Sequence, residues 1–126
     1  MKLILAIIRI SKINDTKLAL SDAGLPSFTA MGIVGRGRGR GLGPTYQKTL
    51  GDPEASNSII EIGPEPRLKS KRLITLIVTD DKKDLAIETI INTNKSNNSG
   101  DGKIFVLEAL DSIRVRTGER GNITLD

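Results

Sequence analysis

The sequence contains no cysteine and no histidine. Their absence removes disulfides, thiol nucleophiles, zinc-type ligand sets and the usual general base. A cysteine-free chain fits a reducing compartment, and we expect a cytoplasmic protein. Tryptophan is also missing, and aromatic residues make up only 2% of the chain. The core must then be built from Ile, Leu, Val and Ala, with no stacking platform for single-stranded nucleic acid. Long hydrophobic runs are lacking too. Leu3–Ile8 is apolar but too short to cross a membrane. Arg9 and Lys12 interrupt it and no small-residue cleavage site follows, so it reads as a buried strand rather than a signal peptide. Neither the phosphate-loop Gly-Lys-Ser/Thr nor a dinucleotide-binding glycine fingerprint occurs. There is no convergent acid pair at metal-ligand spacing, and no enzyme activity or membrane insertion is expected.

What is present is glycine beside arginine. The stretch Val34-Gly35-Arg36-Gly37-Arg38-Gly39-Arg40-Gly41-Leu42-Gly43 sets bare backbone amides next to guanidinium forks. Glycine permits close approach of a ligand. Arginine offers a planar, permanently charged fork matched to phosphate. The pair suits an anion, polyphosphate above all. A solvated Arg-Gly linker and an Arg-Gly segment binding RNA are the alternatives. The net charge is +4. Basic residues concentrate at 36–40 and 67–72, a local anion signal more than a nucleic-acid footprint.

The 126 residues suit one domain. Lys2–Ile10 reads as a first strand. Ser11 or Asn14 is placed to cap a following helix, whose residues Ile13, Thr16, Leu20 and Ala23 share one face. Gly24 then stands where a glycine stops a helix. Phe28–Val34 alternates as a second strand. From Gly35 to Lys69 the pattern is broken by Pro44, Pro53, Pro64 and Pro66, with a short strand possible at Ile59–Ile62. A loop of this length inside a small domain suggests function. Arg72–Val78 is a third strand. Asp80 or Asp81 is placed to cap a second helix that buries Ala86, Ile87 and Ile90. Asn92–Ser99 carries turn chemistry, and Ile104–Leu107 is a fourth strand. Ile113–Arg116 alternates, which would set Arg114 and Arg116 on one face. The order β-α-β, long loop, β-α-β predicts a ferredoxin-like α+β sandwich. Its uncovered sheet face would expose Ile, Val and Leu, which points to an oligomer.

Three segments share one chemistry: Gly35–Arg38, Gly100-Asp101-Gly102-Lys103, and Arg114 with Arg116. Together they suggest convergence on a polyphosphate. At this point the sequence resembles the PII signal-transduction proteins (the GlnB/GlnK superfamily). Ala6-Ile7-Ile8-Arg9 is similar to the family's opening strand, and Gly24, Thr29, Gly35, Gly37 and Gly41 fall at matching spacing. Gly100–Val106 is very like the family's second signature, and Ile113–Glu119 resembles its C-terminal segment. The resemblance covers nearly the whole chain apart from the long loop and the last residues.

The resemblance implies a trimer of ferredoxin-like subunits that binds ATP or ADP in the clefts between them. It implies an extended T-loop at 35–69, a B-loop at 96–103 and a C-terminal segment at 113–126. By position, Gly35, Gly37 and Arg38 form the T-loop base. Ser96 through Lys103 form the B-loop, with Gly100, Asp101, Gly102 and Lys103 around the phosphates. Arg114 and Arg116 would reach phosphate from the neighbouring subunit. Ile7, Thr29 and Ile77 would lie near adenine and ribose, and Lys71 matches the lysine that meets 2-oxoglutarate. Two departures stand out. Gly39 replaces the T-loop glutamine that helps hold Mg²⁺ and 2-oxoglutarate, which leaves that second ligand open. Tyr46, the only tyrosine, lacks the surroundings of the family's modified residue. A long, altered T-loop is similar to the nitrogenase-associated branch, which occurs as paired paralogues. The implied partners are therefore a homotrimer or a mixed oligomer with a paralogue, and dinitrogenase as target. Control of an ammonium or other transporter is the alternative.

Overall fold

In the computed structural model, residues 1–37 and 68–125 are described. Four strands form one antiparallel sheet in the order β2-β3-β1-β4: β1 Lys2–Ile8, β2 Thr29–Gly35, β3 Lys69–Val78 and β4 Lys103–Glu108. Helix α1, Ile13–Asp22, links β1 to β2, and helix α2, Lys83–Asn94, links β3 to β4. This is the ferredoxin-like arrangement expected from the element order. The expected strand at Ile59–Ile62, and Arg38, Gly39 and Tyr46, lie outside the described residues.

The period-2 pattern of the strands divides the sheet into two faces. Ile4, Ala6 and Ile8 of β1 and Ile74, Leu76 and Val78 of β3 point to one side and are buried. Leu20 of α1 and Ala86 and Ile90 of α2 close over them, with Ile13, Ala23, Ile87 and Ile104 packed at the margin. Among the described residues, neither α1 nor α2 covers the opposite face. In register across it lie Met31, Leu73 and Ile7, then Thr29, Thr75, Leu5 and Phe105, then Ile77, Leu3 and Leu107. Met31, Phe105 and Leu107 are exposed. The uncovered apolar face is as the sequence predicts.

Helix α1 ends as glycine chemistry dictates. Gly24 takes φ +83°. Its amide donates to the Ser21 carbonyl at 3.0 Å, and the Leu25 amide donates to the Leu20 carbonyl at 2.8 Å. This is a Schellman closure, and the two leucines it joins are both buried.

The helix starts differ from expectation. Neither Ser11, Asn14, Asp80 nor Asp81 caps a helix. Each helix is entered through a short 3₁₀ turn, Ile10–Lys12 before α1 and Asp80–Lys82 before α2, and neither start carries a side-chain cap. Tight turns satisfy part of the orphan amides themselves. Asp80 is instead drawn to the Met1 ammonium, 3.0 Å away. The polar run at Asn92–Ser99 is also not all turn, because α2 continues through Asn94. Asn94 is 5% exposed. Its amide nitrogen donates to the Ile90 carbonyl at 2.9 Å and to the Thr16 hydroxyl at 3.0 Å, joining the two helices.

That buried pair generates a stability prediction. Thr16→Val leaves an Asn94 donor without its partner and should cost about 1–3 kcal/mol. Thr16→Val with Asn94→Leu removes both polar groups and should cost less than the two single changes added together. Urea denaturation at one fixed protein concentration measures this, and strict additivity would show that the pair is uncoupled.

Candidate functional site

One end of the sheet gathers the C-termini of β1 and β2 and the N-termini of β3 and β4. Gly35 pairs with Lys69, Ile33 with Lys71, and Ile7 with Lys103. Arg9 leaves β1 at the same level. The 96–103 loop arrives there from α2 and feeds β4.

The loop is built around one carboxylate. Asp101 accepts from the Ser96 amide at 2.7 Å, from the Ser96 hydroxyl, and from the Asn98 amide at 3.4 Å. Arg9 Nη1 donates to Asp101 Oδ1 at 2.6 Å, and Arg9 Nη2 donates to the Ser99 carbonyl at 2.8 Å. Lys71 Nζ donates to the Gly100 carbonyl at 3.1 Å. Donation from the Ser96 hydroxyl and amide, with the Arg9 and Asn98 contacts, holds the Asp101 carboxyl far below its ordinary range against the pull of desolvation.

The glycines are required by space. Gly102 takes φ +119°, and a Cβ there would stand 2.1 Å from the Ile7 carbonyl oxygen. Gly100 takes φ +95°, and its Cβ would meet Arg9 Nη2 at 2.9 Å. The resulting loop turns two carbonyls toward cations and carries no side chain of its own at Gly100 and Gly102. Such a surface suits an anion. Lys103 is exposed at its mouth. A largely apolar groove of about 430 Å³ runs on from Lys103 between α2 and β4, walled by Ile87, Ile91, Ile104 and Val106.

The candidate residues fall into two groups. Ile7, Gly35, Gly37, Lys71, Ser96, Gly100, Asp101, Gly102 and Lys103 belong to the end just described. Thr29, Ile77, Arg114 and Arg116 do not. Ile77 stands opposite Leu3, four residues along β1 from Ile7, or about 13 Å at strand rise. Thr29 and Ile77 line a cavity of about 460 Å³ with Phe28, Thr124 and Leu125 of the C-terminal tail. The tail leaves β4 at Glu108, opposite Lys2, at the far end of the sheet.

The tail also corrects one expectation. Ile113–Arg116 is not a strand; an isolated bridge joins Ile113 to Arg120, and residues 115–117 turn. Arg114 therefore shares no strand face with Arg116. Its guanidinium donates to Glu119 Oε1 at 2.6 Å and to the Ile123 carbonyl at 3.2 Å, closing a hook. The Gly118 amide, donating to the Arg114 carbonyl at 2.7 Å, bends the chain before a strand can form. Val115 and Arg116 project from that turn, with Val115 99% exposed.

Sequence reasoning missed Arg9 as a site residue, treating it as part of an opening strand. No spacing signal connects it to partners some ninety positions away.

The family model described as nitrogen regulatory protein P-II matches residues 1–119. "Nitrogen fixation nifHD region glnB-like protein 2" of Methanococcus maripaludis is 39% identical over 125 residues, covering 99% of this chain and 100% of that protein. The like-named protein of Methanobacterium ivanovii is 40% identical over 126 residues, covering 96% of each chain. "Nitrogen regulatory protein P-II" of Klebsiella oxytoca is 32% identical over 125 residues, covering 99% and 100%.

Two outcomes test the loop. Gly102→Ala should cost about 1–3 kcal/mol for its φ alone, and the clash with the Ile7 carbonyl should add to this; an unchanged denaturation midpoint would contradict the cradle. The second outcome concerns pH. The folded pKa of Asp101 lies below its ordinary 3.8, so its ordering effect is complete above that value and is lost as pH falls further toward the folded pKa. Hydrogen-exchange protection of the Ser96 and Asn98 amides should hold from neutral pH to about 4 and then decline. Asp101→Asn should abolish that dependence.

Proposed function

The chain belongs to the nitrogen regulatory protein P-II family, and from that premise we propose that it is a nucleotide-sensing regulator, not an enzyme, acting on a nitrogen-fixation protein. The observation that carries the reading is the 96–103 loop, whose glycines admit only bare backbone beside Lys103. Those residues fit a polyphosphate: Gly102 packs without a side chain against the Ile7 carbonyl, and Lys103 supplies an exposed cation at the mouth of the loop. ATP or ADP would be held by Gly100, Gly102 and Lys103, with Ile7, Gly35, Gly37 and Arg38 beside them.

The division of residues between two ends of the sheet supports an assembly. Within one subunit, Arg114 and Arg116 lie on the hook and Thr29 and Ile77 on the tail's cavity, away from Lys103. A second copy, bringing its Arg116 turn and its Thr29–Ile77 cavity to the glycine loop of the first, would complete one site. The apolar open face, with Met31, Phe105 and Leu107 exposed, supplies the surface that three copies would bury. A homotrimer, or a trimer mixed with a paralogue, follows.

The T-loop, residues 35–69, would be the partner-binding element. Gly35 at its base pairs with Lys69 at the sheet end that carries the glycine loop. Lys71 stands two residues further in, where it would meet 2-oxoglutarate bound with Mg²⁺. Ligand at this end would bias loop conformations that hold the target differently, with a coupling of ~1–3 kcal/mol. The names of the methanogen relatives, which refer to the nifHD region, favour dinitrogenase as the target.

Calorimetric titration of ATP, with and without 2-oxoglutarate and Mg²⁺, tests this reading. Saturable binding that is lost in Lys103→Ala and tightens with 2-oxoglutarate is the expected result. Binding indifferent to 2-oxoglutarate would leave an adenylate sensor. Absence of ATP binding would remove the nucleotide reading and favour RNA as the ligand of the Arg-Gly stretch.

A further inference from the structure

Arg9 grips the 96–103 loop from the end of β1. Its two terminal nitrogens diverge, one to the Asp101 carboxylate at 2.6 Å and one to the Ser99 carbonyl at 2.8 Å. The peptide that joins Ser99 to Gly100 is planar and trans, so its C=O and the following N–H point in opposite directions. Arg9 therefore decides where the Gly100 N–H points: away from the guanidinium. No described residue accepts from that N–H. The next peptide is held in the same manner, because the Gly100 carbonyl accepts from Lys71 at 3.1 Å.

We propose that Arg9 is a positioning residue of the phosphate site, holding the Ser99–Gly100 peptide so that the Gly100 N–H faces the anion. The inference rests on the nucleotide reading above. An unpinned peptide could rotate its carbonyl outward and present a partial negative charge to phosphate. The fork of arginine suits the task, since one planar group reaches both the carboxylate and the carbonyl, whereas lysine is a single point charge. Glycine at 100 is the complement of this contact. Its φ of +95° and the 2.9 Å approach of Arg9 Nη2 to the Cβ position leave no room for a side chain.

The test uses the full chain, with ATP titration read by calorimetry and by the Gly100 amide resonance in ¹⁵N-labelled protein. Arg9→Met should weaken ATP binding roughly 10- to 100-fold, the worth of one hydrogen bond to a charged group. The Gly100 resonance, which should move on ATP addition in the wild type, should then stay where it is. Arg9→Lys should fall between the two, and it carries the test if Arg9→Met does not fold. Unchanged affinity in these variants would overturn the proposal. Weakened affinity with the Gly100 response intact would also overturn it, since Arg9 would then be touching the anion itself. A wild type that binds no ATP would instead remove the nucleotide reading, and this inference with it.

Discussion

Strand β1 has no free edge. Lys2–Ile8 pairs with Val78–Arg72 of β3 on one side, and Lys2–Ile7 pairs with Glu108–Lys103 of β4 on the other. A slip of one residue would turn Ile4, Ala6 and Ile8 out of the core and force both neighbours to move with them. The burial of those three side chains therefore sets the register of the sheet. The same register sets the site. With Ile8 opposite Arg72, Arg9 emerges beside Lys71, and with Ile7 opposite Lys103, the Ile7 carbonyl fills the space where Gly102 would otherwise carry a side chain. The glycine loop is the loose end of a tightly specified core.

What the sequence revealed follows from how local each signal is. The two helices and four strands were legible because Ile4, Ala6 and Ile8, or Thr16 and Leu20, repeat with the period of their element. Gly24 was legible because a helix stop is a local event, closed here between Leu20 and Leu25. The capping residues misled because Asp80 and Asp81 look the same whether they bond their own helix or, as Asp80 does, a distant ammonium. Ile113–Arg116 misled because alternation describes a strand only if a partner strand lies alongside, and here the Arg114–Glu119 contacts close the chain on itself. The glycine loop could be recognised from Gly100–Lys103, but its geometry depends on Arg9 and Lys71, which chain order places far away. Thr16 and Asn94 were hidden in the same way: each looks like a tolerated polar residue until the other is seen across the helix interface.

Charge alone does not explain the candidate site. Arg9 is neutralised by Asp101, and Lys71 is engaged with the Gly100 carbonyl. Lys103 is an exposed cation at the mouth of the loop, and exposure leaves it screened within about 8 Å at physiological salt. Such a charge raises the encounter rate with an anion more than it fixes the anion's pose. The pose must come from backbone dipoles, which are already oriented before a ligand arrives and cost no reorganisation when it does. A carboxylate at the centre of the loop is then compatible with the proposed anion site. Asp101 spends its charge on Ser96, Asn98 and Arg9, and the order it imposes outlasts the weak repulsion it could offer from inside the loop. The same logic explains why the loop tolerates three left-handed residues, Asn97, Gly100 and Gly102. Only Asn97, at φ +65°, carries strain there, since glycine adopts such angles freely, and the Asp101 network supports it.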